Sequence, residues 1–201
     1  MYRRVAFLAV PLVLGALALP GHAAAPAPQI IDAAGDARGA QGSMDIVSGQ
    51  FTTTGTGKGK AYKPTKFVVT LTLAAPPSSG PGLTYEIGAA TSSCGDVVFT
   101  YEPGTPYSAL AGVNGWADWG DCPIRDDSPY ELLTPKVTGN TITWSFGMKQ
   151  LGKGMKVGTV FSKFEARVDP SNPVVPFPSN TTGTALGLID IGTGAGTWKL
   201  G

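Results

Sequence analysis

An all-β fold is predicted for this chain: a single antiparallel β-sandwich, jelly-roll or immunoglobulin-like, with one disulfide. Three observations predict it. Glycine and proline make up 28 and 17 of the 201 residues and only 14% are charged, a mix that disfavours helices and suits strands joined by turns. Short segments alternate apolar and polar residues with a period of two, and no long stretch has a helical period. Two cysteines, Cys94 and Cys122, follow a leader of export type, and an even pair in an exported chain most simply forms one disulfide.

The leader comes first. Residues 1–23 read as a signal peptide, with Arg3 and Arg4 as its charged start, an apolar run from Phe7 to Leu19, and small residues around Ala23 for cleavage. The apolar run is shorter than the roughly 20 residues of a membrane span, which sets this reading above an uncleaved anchor. No membrane insertion is expected after cleavage, and the protein is expected to be secreted. Residues 24–30 read as a flexible tether and residues 31–201 as the sandwich. The leader holds two of the fifteen basic residues, which leaves thirteen against fourteen acidic ones. That balance gives no reason to expect nucleic acid or an anionic membrane as partner. The only histidine, His22, lies at the cleavage region. Ser-His-Asp and Cys-His catalysis and histidine-bound zinc therefore have no residues to build on.

Taking the chain in order, residues 43–54 read as the first strand. A loop at 55–63 carries Lys58, Lys60 and Lys63; it is either a solvated hairpin tip or a grip for an anion. In residues 66–73, Phe67, Val69, Leu71 and Leu73 share one face and Thr70 and Thr72 the other, as in a half-buried strand. Leu83, Tyr85 and Ile87 mark a third strand, and Val97, Phe99 and Tyr101 a fourth. Residues 107–117 form a weaker strand, followed by an acidic loop at 118–130. Residues 131–138 and 141–146 flank Gly139-Asn140, a hairpin signal. A single helical turn is expected at 148–151. Residues 158–169 fit either a helix stripe or a strand; Gly158 in front and the β-branched and aromatic residues at the start favour the strand. A proline-rich loop then leads to short strands at 185–190 and 197–200.

The opening Asp32-Gly35-Asp36, the Asp45-Ile46 strand start, the Leu71-Thr72-Leu73 strand, the run from Thr141 to Trp144 and the late run from Ala166 to Asp169 form a pattern. It resembles actinobacterial secreted domains of the carbohydrate-binding-module-9-like, or DOMON-like, β-sandwich group. The resemblance implies a sandwich that binds sugar, haem or calcium, or has no known ligand. Haem-binding members use methionine and histidine, and with no histidine past the leader no haem is expected here.

Asp32, Asp36 and Asp45, spaced by glycines, suit a hard cation such as calcium, which takes six to eight oxygens at roughly 2.3–2.6 Å. The alternative is that Asp and Gly only build turns there. Trp116 and Trp119, beside Asp118 and Asp121, suit a sugar, with ring faces against its C–H groups and carboxylates for its hydroxyls. A spacing of three along an extended chain puts the two rings on opposite faces, one toward the core. In the alternative, both rings pack against disulfide and core. Asp118, Asp121, Asp126, Asp127 and Glu131 could supply a pair for glycoside cleavage, yet a solvated acidic loop is the default. The chain thus reads as a non-catalytic binding module for a glycan or cell-wall polysaccharide. The other readings are a structural or protein-interaction domain of the cell envelope, and a carboxylate hydrolase.

Overall fold

The computed structural model describes residues 27–37, 42–80, 82–104, 115–122, 130–170 and 190–201. Within them the alternating segments form two antiparallel sheets. The first contains β1 (Ile30–Ile31), β2 (Ile46–Thr56), β3 (Lys63–Leu73), β8 (Lys136–Thr138) and β9 (Thr141–Gly147), in the order β1-β2-β3-β9-β8. The second contains β4 (Leu83–Thr91), β5 (Gly95–Tyr101), β6 (Gly115–Asp118), β7 (Tyr130–Leu133), β10 (Val160–Pro170) and β11 (Asp190–Lys199), in the order β11-β10-β4-β5-β6-β7. The fold is therefore an all-β sandwich. Among the described residues no helix is long and apolar enough to cross a membrane.

The core lies between the sheets and is rich in aromatic rings. Phe51 and Phe67 from the first sheet meet Phe99, Phe161 and Phe164 from the second, with ring centroids 5.3–6.1 Å apart. All five rings are buried. Phe161 and Phe164, three residues apart on β10, both face the core because a bulge between Ser162 and Phe164, with Lys163 at φ 51°, shifts the parity there. Residues 158–169 resolve as strand: β10 pairs with β4 on one side and β11 on the other. Met148–Gln150 is a single 3-10 turn. Gly139 at φ 58° and Asn140 join β8 to β9, with Thr138 opposite Thr141.

Three segments differ from the sequence reading. Residues 131–138 are not one strand: β7 belongs to the second sheet and β8 to the first, with the crossing at Thr134-Pro135. Proline has no N–H to give a ladder, so the break falls there. The final strand runs unbroken from Asp190, although Gly192, Gly194 and Gly196 look like turn residues. A Cβ at Gly194 would collide with the Gln29 carbonyl, and one at Gly192 would crowd Ile30. These glycines let the N-terminal segment lie close across β11 rather than bend it. Ile30, the last residue of the expected tether, is itself fully buried in β1. The expected signal peptide and the strand segments at 107–114 and 185–189 lie outside the described residues.

Cys94 and Cys122 are bonded, with Cα atoms 4.8 Å apart. The bridge joins the β4–β5 turn to the residues just after β6. Closing a loop of this length is worth about 3 kcal/mol in the chain-entropy model. A domain of this size moves about 2–4 °C per kcal/mol. Reduction is accordingly expected to lower the calorimetric melting temperature by about 6–12 °C, and an unchanged melt in reductant would contradict the pairing.

Candidate functional site

Four carboxylates meet where the two ends of the sandwich domain come together. β1 pairs Ile30 with Gly49 and Ile31 with Ser48. The Asp32 amide then donates to the Val47 carbonyl at 3.1 Å, which fixes Asp32 beside the start of β2. Gly35, at φ 96°, turns the chain back, and its amide donates to Asp45 Oδ2 at 2.7 Å. From the far end of the sequence, Asp190 opens β11; its Oδ2 accepts the Ile46 amide at 2.6 Å and its Oδ1 accepts the Ile191 amide at 2.9 Å. One carboxylate thus ties the edge of the second sheet to the start of β2 in the first.

One carboxylate oxygen from each of Asp32, Asp36 and Asp190 lies within 4.8 Å of the others. Two ligands on opposite sides of a calcium ion at about 2.4 Å stand about 4.8 Å apart, so all three oxygens fit one coordination shell. Two oxygens here are buried with no hydrogen-bond partner, Asp32 Oδ2 and Asp45 Oδ1. Gly192 leaves the room: a Cβ there would stand 3.2 Å from Asp32 Oδ2. Burial, then the charges of Asp36 and Asp45, raise the pKa of Asp32 against the Ala33 amide that lowers it. Burial, then Asp32 and Asp36, push Asp190 up to about 6 despite the amides of Ile46 and Ile191. Burial first and acidic neighbours second thus disfavour the charged forms of both carboxyls.

Of the three residues expected to bind metal, two converge and one does not join them. Asp45 is buried and spends Oδ2 on the Gly35 amide, which places it behind the cluster. The third carboxylate of the group is Asp190, which sequence reasoning did not single out. The local signal was a single aspartate amid isoleucines, and its partner Ile46 lies 144 residues away.

The expected sugar platform divides differently. Ala117 pairs with Phe99 and faces the core, and Trp119 continues that parity just beyond β6. Trp119 is fully buried, its ring set edge-on to Phe99 at 5.4 Å and Phe146 at 5.0 Å. No face of it is left for a sugar, which corrects the reading of Trp119 as a ligand contact. The Trp116 backbone pairs with Thr100 and Leu132; its side chain lies outside the described residues, as do Asp126, Asp127 and the Glu131 side chain. Asp118 is half-buried, accepts the Gly120 amide at 2.8 Å, and has its pKa raised by burial against that hydrogen bond. Asp121 is exposed.

A second charge cluster, unforeseen in the sequence, lies on the face of the second sheet turned away from the core. Arg167 stands opposite Glu86 across the β10–β4 ladder. Its Nε lies 2.5 Å from Glu86 Oε2 and 3.0 Å from Asp169 Oδ2, all three side chains being buried. The Asp169 contact is an ion pair without hydrogen-bond alignment, since Oδ2 finds no hydrogen-bond partner. Thr100 Oγ1 donates to Glu86 Oε1 at 3.3 Å, and Thr84 Oγ1 to Glu102 Oε1 at 2.8 Å. Burial pushes the Asp169 carboxyl up to about 7, against the Arg167 charge that lowers it and with Glu86 and Glu165 raising it further.

A carboxyl raised in this way holds its proton more tightly in the folded chain than in the unfolded one. The folded state then binds more protons between about pH 4 and pH 7. Its contribution to stability is highest below that window, falls as pH rises through it, and levels off above. Denaturant midpoints in EDTA are expected to be higher at pH 5 than at pH 8, with the difference reduced in Asp169→Asn. A midpoint that rises from pH 5 to pH 8 would contradict this.

No protein-family model, curated protein or solved structure matches the chain.

Proposed function

We propose that the protein is an exported, non-catalytic β-sandwich module in which a calcium ion fastens the N-terminal segment to the last strand. The observation that carries this reading is the convergence of Asp32, Asp36 and Asp190 from opposite ends of the domain, with buried unpartnered oxygens beside them. Calcium suits the set because all the donors are carboxylate oxygens and no nitrogen or sulfur is present. The ligand of the module is read as a glycan or cell-wall polysaccharide, with Trp116, Asp118 and Asp121 as its candidate contacts. The burial of Trp119 favours a second reading, a structural or protein-interaction domain of the cell envelope with no small ligand.

The test is a thermal melt in EDTA and in millimolar calcium. An ion that binds only the folded state adds RT ln(1 + [L]/Kd), about 2.7 kcal/mol at a hundredfold excess over Kd. A rise of several degrees in calcium is expected, lost in Asp36→Asn. Asp36 is exposed, so that change should leave the melt in EDTA nearly unaltered. Equal melts of the wild type in EDTA and calcium would overturn the cation reading.

A further inference from the structure

The lysines of this chain are unevenly placed. Lys58, Lys60, Lys63 and Lys66 lie on the β2–β3 hairpin. Lys149, Lys153 and Lys156 lie on the connection from β9 to β10, and Lys163 and Lys199 at the start of β10 and the end of β11. These three groups occupy one end of the sandwich. Val160 pairs with Lys199 in the second sheet, and Lys66 with Gly147 in the first. The Thr53 hydroxyl donates to the Gly201 carbonyl at 2.9 Å, which brings the end of β2 to the end of β11. Phe67 lies 5.7 Å from Phe161 and 5.9 Å from Trp198, so the residues beside them, Lys66 and Lys199, stand level. Nine of the ten lysines in the sequence are therefore on this end, all exposed; the tenth, Lys136, is on β8.

Arg167 forms ion pairs with Glu86 and Asp169, away from this end. Of the described carboxylates toward this end, Glu165 on β10 is buried, and Asp96, Asp118 and Asp121 sit on the β5–β6 flank, separated from β10 by β4. The acidic cluster lies at the other end of β2 and β11, about 30 Å away at roughly 3.3 Å per residue. Among the described residues, a chain nearly neutral overall thus carries nine of its ten lysines at one end.

We propose that this lysine-bearing end is a docking surface for an anionic polysaccharide, one carrying carboxylate or sulfate groups. Lysine ammoniums are compact, hydrated point charges on flexible stems. They suit loose, salt-sensitive contact with a repeating anion, whereas arginine's planar fork suits phosphate and base edges. No arginine among the described residues lies on this end, and Arg167, the one described arginine, is buried in its ion pairs. A single-stranded nucleic acid would also want exposed stacking rings. Tyr62, the tyrosine of the hairpin, is half-buried and donates its hydroxyl to Thr53 Oγ1 at 3.2 Å. A membrane surface would want an apolar wedge, and Val157 is the one large apolar residue exposed on this end among the described residues. The surface is separate from the cation site, so either can fail alone.

The test is retention of the full exported protein on dextran sulfate, on polygalacturonate and on uncharged dextran as salt is raised. The two charged matrices distinguish sulfate from carboxylate as the preferred group. Wild type is expected to be held on at least one charged matrix at low salt, released as salt rises, and to pass through dextran. Lys58→Glu/Lys60→Glu/Lys63→Glu is expected to weaken retention on the order of tenfold or more and to flatten the salt dependence. Lys136→Glu should behave as wild type. These lysines are exposed, so an unchanged melting temperature will show the variant folded. Passage of wild type through both charged matrices, equal retention of the triple variant, or tighter binding to anionic vesicles or single-stranded DNA would overturn the proposal.

Discussion

Replacing Arg167 with leucine is expected to destabilise the domain by about 3–5 kcal/mol, the usual cost of removing one partner of a buried ion pair. Among the described residues the guanidinium is the cation placed between Glu86 and Asp169, and both carboxylates are almost wholly out of water. Without it, the Glu86 carboxylate is left buried in a site that no longer compensates it. Asp169, already pushed up to about 7 by burial, would lose the one charge that lowers its pKa. The size of the effect comes from the carboxylates left behind more than from the ion pair itself. Arg167→Leu combined with Glu86→Gln and Asp169→Asn should therefore recover much of the loss. Urea midpoints of the single and triple variants check this. A single variant within about 1 kcal/mol of wild type would contradict it, because surface ion pairs, not buried ones, contribute on that scale.

Trp119→Ala is expected to cost a further large amount, about 3–5 kcal/mol, through lost burial and the cavity that remains. The indole is enclosed by Phe67, Phe99 and Phe146, and its Cβ lies 3.0 Å from where a Cβ on Gly152 would stand, so little can move in to fill the space. A ring that served as a sugar platform would behave in the opposite way: its loss would abolish binding and leave the melt unchanged. Denaturant curves of Trp119→Ala decide between the two. A stability equal to wild type would return Trp119 to the surface.

What the sequence made legible was local. The alternation of Phe67, Val69, Leu71 and Leu73, the Gly139-Asn140 hairpin and the Cys94–Cys122 pair could each be read from neighbours in the chain, and each is present. Parity along residues 115–119 separated Trp116 from Trp119 but left open which faced inward. The β5–β6 register, with Ala117 opposite Phe99, supplies that. The contacts that remained hidden are long-range. Arg167 meets Glu86 across 81 positions and Asp190 meets Ile46 across 144. In both cases the residue's own surroundings said only that a charge sat within a strand. The same holds for Gly192 and Gly194 of β11, whose reason is the N-terminal segment lying over them, while Gly196 at φ 88° sits at the bulge opposite β10.

The account turns on a cation held between the two ends of the domain. Calorimetric titration of calcium into EDTA-treated, buffer-exchanged protein tests it most directly, with Asp190→Asn alongside. Asparagine removes the charge and keeps an acceptor for the Ile46 amide, giving up only the local contact with the Ile191 amide, so the fold is expected to persist. One calcium per chain in the wild type and none in Asp190→Asn is the predicted result. No heat of binding in the wild type, or equal binding in both proteins, would contradict a site built from Asp32, Asp36 and Asp190.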